Sequence, residues 1–112
     1  MGAVDPVERT LREGTAGVAG PADPTWHLVE DGVSTLDVTF GPEGPDGFGV
    51  AWSSHEVIVS FGQDSRIELG PGDEDIALLS DIVAALIGGR VLRRGRAAAV
   101  ILPDGSTIGD RV

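Results

Sequence analysis

The chain has 112 residues and a mass of 11.5 kDa, the size of one domain, and carries 18 Asp and Glu against 8 basic residues for a formal net charge of −10. All the basic residues are Arg, and Lys, Asn, Tyr and Cys are absent. This excludes disulfides, thiolate zinc sites, thiol nucleophiles, Schiff-base lysines and phosphate-loop lysines. The acidic balance opposes binding to nucleic-acid phosphates.

At 41% hydrophobic residues the chain has enough apolar material for one modest core, built on Val, Leu, Ile and Ala because aromatics are few. The N-terminus MGAVDPVERT has no basic and apolar regions of a signal peptide, and Pro6 stands where a myristoylation signal needs Ser or Thr. The longest apolar run, Ala97 to Leu102, is too short to cross a bilayer. These features lead to the expectation of a soluble, cytoplasmic protein without membrane attachment.

In chain order, Asp5-Pro6-Val7-Glu8 predicts a helix start, with Asp5 as cap, Pro6 at the first helical position and Glu8 as in a capping box. The helix is expected to stop near Gly14, and the Gly-, Ala- and Pro-rich stretch 14–24 reads as a linker. Residues 1–24 are therefore expected to be a helix and linker, ahead of one α+β domain over 25–112. In WHLVEDGVSTLDVTF, a three-residue loop with Gly32 in the left-handed position pairs Trp26 with Leu36 and gathers the apolar side chains on one face. His27, Thr35, Asp37 and Thr39 then share the other face.

Phe48, Val50 and Trp52 alternate with small residues, as do Val57, Val59 and Phe61 after a turn at Ser54-His55, so Trp52 should lie beside Val57 and Val50 beside Val59. A turn at Gln63-Asp64-Ser65 leads to a short strand with Ile67 and Leu69 on the side of Phe61. The product is a meander of about five antiparallel strands with one apolar face. Gly70-Pro71-Gly72 ends it, and Ile76, Leu79, Ile82, Val83, Leu86 and Ile87 recur at helical spacing over roughly 73–88. This stripe is the natural cover for the meander. The tail is expected to form a hairpin turning at Pro103-Asp104-Gly105, with Ile108 against either Ile101 or Val100.

Candidate chemistry is sparse. His27 and His55 are the two imidazoles, and neither stands in a metal-ligand spacing, so no metal or cofactor is expected. Ser53-Ser54-His55-Glu56 contains a hydroxyl, an imidazole and a carboxylate, but neighbouring residues of a strand or tight turn do not converge as a triad does, and no GxSxG elbow is present. The glycine-rich run Gly41 to Gly47 lacks the Lys and Ser/Thr of a phosphate loop and carries two carboxylates, so it reads as a hairpin loop. Asp73, Glu74 and Asp75 sit where a helix dipole favours anions, without the ligand alternation of a calcium loop.

Charge is divided unevenly. Residues 90–112 hold five Arg against two Asp, whereas residues 1–89 hold three Arg against sixteen acids. Arg90, Arg93, Arg94 and Arg96 thus form a basic cluster, either a solvated helix end and hairpin or a patch for a partner or a second copy.

The segment Asp81-Ile-Val-Ala-Ala-Leu-Ile-Gly-Gly-Arg-Val, with the later Val100-Ile-Leu-Pro-Asp-Gly-Ser-Thr, resembles small acidic proteins of high-GC bacteria, many uncharacterised and some grouped with immunity proteins of toxin systems. The resemblance covers about a quarter of the chain, rests on a helix stop and a hairpin turn, and transfers no site residue. It implies a non-enzymatic role.

The leading expectation is a non-catalytic acidic protein-binding domain, immunity-like in manner, that meets a basic partner by charge complementarity. The alternative is a small-ligand or enzymatic site on the polar sheet face around His27 and Asp37. Exposed strand edges offer a route to homo-oligomers.

Overall fold

Segments with an apolar residue at nearly every second position pair in sequence order into one antiparallel sheet. A computed structural model describes residues 6–16, 23–30, 32–39, 47–62, 65–70 and 72–110. The strands are β1 (Asp23–Glu30), β2 (Val33–Thr39), β3 (Phe48–Trp52), β4 (Val57–Phe61) and β5 (Ser65–Leu69), in spatial order β1-β2-β3-β4-β5. Trp26 lies opposite Leu36 as expected and Gly32 is left-handed at φ 76°, but the expected three-residue loop is not formed: the register shifts between His27 and Glu30, and Glu30 lies opposite Val33, which leaves two residues between the strands. Trp52 faces Val57 and Val50 faces Val59, as the alternation requires.

Period two decides the two faces. Leu36, Val38, Phe48, Val50, Trp52, Val57, Val59, Phe61, Ile67 and Leu69 are all buried on the inner face. Strand β1 begins at Asp23, earlier than the expected linker allows. Its Pro24 falls on an edge strand of the sheet, the position at which proline is tolerated.

Helix α2 (Asp73–Ile87) follows the break at Gly72. Its N-cap glycine has no side chain to offer, and Asp75 instead reaches back, its Oδ2 accepting the Gly70 N–H at 2.8 Å. Leu79, Ile82, Val83, Ala85 and Leu86 are buried in one cluster with the inner face of the sheet.

The expected terminal hairpin is present with one strand more: β6 (Val91–Arg94), β7 (Ala97–Ile101) and β8 (Thr107–Gly109) form a second antiparallel sheet with β7 in the middle. Ile108 pairs with Val100, which settles the register. The inner side of this sheet, Val91, Ala98, Val100 and Ile108, joins the same core.

Helix α1 (Pro6–Ala16) runs one turn fraction beyond Gly14. Val7 and Leu11 are buried in the core cluster, and α1 packs on α2. The Arg12 guanidinium lies 4.4 Å from the Trp26 ring centroid, and Trp26 meets Trp52 edge-on at 6.4 Å. The Asp5 cap, residues 17–22 and the loop over 40–46 lie outside the described residues. No described helix is long and apolar enough to cross a membrane.

Candidate functional site

The outer face of the first sheet carries the residues singled out from the sequence. The register aligns His27, Thr35, Ala51, Ile58 and Glu68 in one row across the five strands, and Thr25, Asp37, Gly49, Ser60 and Arg66 in the next. His27, Thr35, Asp37 and Thr39 therefore share this face by strand position, although the side chains of His27 and Thr39 lie outside the described residues. Thr35 is half-buried and Asp37 exposed. The Asp37 carboxylate leans over β3, and a Cβ at Gly49 would come within 2.9 Å of its Oδ1. Glycine is what leaves room for that carboxylate.

Two depressions among the described residues involve side chains of this face. One of about 620 Å³ is open and of mixed polarity, lined by Asp37, Gly49, Ser60 and Arg66 of this face together with Val38, Phe48 and Phe61 of the other parity. Arg66 is already engaged with Glu68 on its own strand, an exposed pair of small energetic weight. The other, about 190 Å³, is lined by Val33, Ala51, Trp52, Ser53, Glu56 and Ile58. Its apolar floor lies among the carboxylates of Glu56 and Glu68, the latter paired directly with Ile58 across β4 and β5.

Val33 and Ile58 were not singled out from the sequence. Their signal is parity: each occupies an outward position on a strand whose apolar residues otherwise point inward. Val33 remains 41% exposed, and Leu92 on β6 45%; they are the exposed large apolar side chains among the described residues.

Around Leu92 the surface is basic. Arg90, Arg93, Arg94 and Arg96 are all exposed. Pairing of Val91 with Val100 and Arg94 with Ala97 places Leu92 and Arg94, with Arg90 just before the strand, on the side of the second sheet away from Val91 and Val100, where Leu92 lies over the fully buried Ala99. Arg93 falls on the other parity, and Arg93 and Arg96 each have an interaction partner of their own.

The remaining candidates have structural roles. Asp73 and Glu74 are exposed in the first turn of α2, where the helix dipole favours them, while Asp75 holds the Gly70 N–H. In the turn after β3, Ser53 Oγ accepts the His55 N–H at 3.2 Å, and Ser53 N donates to Glu56 O at 3.0 Å, so this segment closes a hairpin. Asp104 accepts from both Ser106 N and Ser106 Oγ, which holds its carboxyl below the ordinary value.

Asp110 was also missed. Its Oδ2 accepts from Ser65 Oγ and, at 3.2 Å, from Ala98 N, and these bonds lower its pKa in that order of effect. The contact ties β5 of the first sheet to β7 of the second.

Comparison of the chain with protein-family models, with curated proteins and with solved structures returned no match.

Proposed function

We propose that the chain is a small, acidic, non-catalytic protein-binding domain, working in the cytoplasm, whose outer sheet face takes a partner with a basic rim around an apolar centre. The observation that carries this reading is the hollow of Val33, Ala51 and Ile58 beside Glu56, with Glu68 paired to Ile58 across the strands. An apolar centre supplies area to bury, while surrounding charge selects the partner and speeds the encounter. Neutralisation of a basic partner in the manner of an immunity protein is one form of this activity; nucleic acid and membrane surfaces, both anionic, are disfavoured partners.

The test is capture of partners from a lysate of the source organism at low salt, followed by elution at high salt. A basic protein retained by the wild type, released by salt, and lost on Ile58→Arg but kept on Arg9→Gln supports the reading. Identical capture by Ile58→Arg and wild type, or no salt-sensitive capture at all, overturns it.

The open depression between Asp37 and Arg66 favours a second reading, a site for a small polar ligand. Amide shift changes on titration with free amino acids, confined to the strand positions around Gly49 and abolished by Asp37→Asn, would support that site over the first.

A further inference from the structure

The same chain carries both halves of a complementary contact. The acidic face has an apolar hollow of about 190 Å³ lined by Val33, Ala51 and Ile58, beside Glu56. The outer side of the second sheet has an apolar projection, Leu92, with Arg90 and Arg94 two residues away on either side. Along the strand that spacing puts the Arg94 stem about 7 Å from the leucine, while Arg90 immediately precedes β6 with its Nε near Gly88 at the end of α2. An apolar cavity of about 150 Å³ is large enough to hold a benzene ring, so the hollow has room for one branched aliphatic side chain. The two surfaces differ in sign, in shape and in sheet, and so they match each other rather than themselves.

We propose that this protein associates with itself head to tail: Leu92 of one copy enters the Val33–Ala51–Ile58 hollow of the next, with Arg90 and Arg94 brought against Glu56 and Glu68. The proposal rests on the reading of the acidic face given above and names its partner as a second copy. Glu68 is held by Arg66 within its own chain, and exchange of that exposed pair for an intermolecular one costs little. β6 is also the free edge of its sheet, a position at which Arg side chains deter continuous strand pairing with another β6 while leaving side-chain docking open. A contact between two different patches does not close on itself in a pair, so it leads to rings or short chains rather than a two-fold dimer.

Net charge shapes the salt dependence. Two copies at −10 each repel at long range, while the docked patches attract at short range. Screening over about 10 Å at 0.1 M salt removes the repulsion between the bodies first, and at 1 M the screening length of about 3 Å reaches the contact pairs as well. Association is therefore expected to pass through a maximum at intermediate salt.

Sedimentation of the purified full chain over a range of concentrations and salt tests this. The wild type should form oligomers, and Leu92→Glu and Ile58→Arg should each weaken assembly by about tenfold or more. Each variant retains the patch the other has lost. An equimolar mixture should therefore recover a complex of one Leu92→Glu copy with one Ile58→Arg copy, and stop there. Arg94→Glu, on an exposed position, gives an independent loss on the Leu92 side, and circular dichroism of each variant verifies the fold.

A wild type that stays monomeric throughout overturns the proposal, as does a mixture of the two variants that fails to pair. If it is overturned while Ile58→Arg still abolishes salt-sensitive capture of a different basic protein, the acidic face remains a binding face with another partner. If capture is unaffected as well, both readings fall.

Discussion

Asp110 shows how one side chain near the C-terminus joins two sheets. Its carboxylate accepts from Ser65 Oγ, on a serine only 2% exposed, and from the Ala98 amide, so it satisfies a buried hydroxyl and a strand amide together. Hydrogen bonds to the ionised form lower its pKa. A carboxyl lowered on folding contributes stability that is present above its unfolded value, near 3.9, and that is lost as pH falls through the folded value. Asp110→Asn is therefore expected to be less stable than the wild type at neutral pH, with the difference shrinking below about pH 4. Urea melts at neutral and acidic pH check this; a difference that grows on acidification would reverse the assignment. Nothing in the sequence pairs Asp110 with Ser65, which lies in another sheet and far along the chain.

At the level of elements, helix α2 is the most firmly encoded. Leu79 is fully buried in its stripe, and Leu79→Ala is expected to cost about 2–5 kcal/mol in urea unfolding, through lost transfer energy and the cavity left behind. Strands β2 to β5 were equally legible, because Phe48-Gly-Val-Ala-Trp and Val57-Ile-Val-Ser-Phe declare period two and their buried faces follow from it. Strand β6 was not. In Val91-Leu-Arg-Arg a single residue faces the core, and an edge strand with one apolar contact has no alternation to read. The polar outer face was legible as a set of positions, since parity alone puts Thr35 and Asp37 together. The hollow beside it was not, because its shape depends on how β2, β3 and β4 lie against one another. The role of α1 in the core was also hidden: its four Arg and Glu side chains form surface pairs, and only two apolar residues, Val7 and Leu11, with Thr15, carry its burial.

For the whole molecule, the order of contacts along the chain has a kinetic meaning. Every strand of the first sheet pairs with its sequence neighbour, and the second sheet is built in the same way, so nearly all sheet contacts close short loops. Beyond the contacts of β5 with β7 and β8, helix α1 spans the longest stretch of chain, since it packs on α2 across the whole first sheet. Closing that long loop is entropically the most demanding contact, and the remaining core can condense before it is made. Leu11→Ala should accordingly lower stability by about 2–5 kcal/mol while leaving the refolding rate nearly unchanged and speeding unfolding. Stopped-flow fluorescence can follow this directly, because Trp26 sits under Arg12 of α1 and against Trp52 of the sheet. A refolding rate slowed in proportion to the lost stability would place α1 in the folding nucleus instead. On a ribosome, the first helix emerges long before α2 exists to receive it. It must wait, its apolar side unburied, until the whole first sheet and α2 have followed it, so the helix that precedes the sheet in the chain docks after the sheet is built.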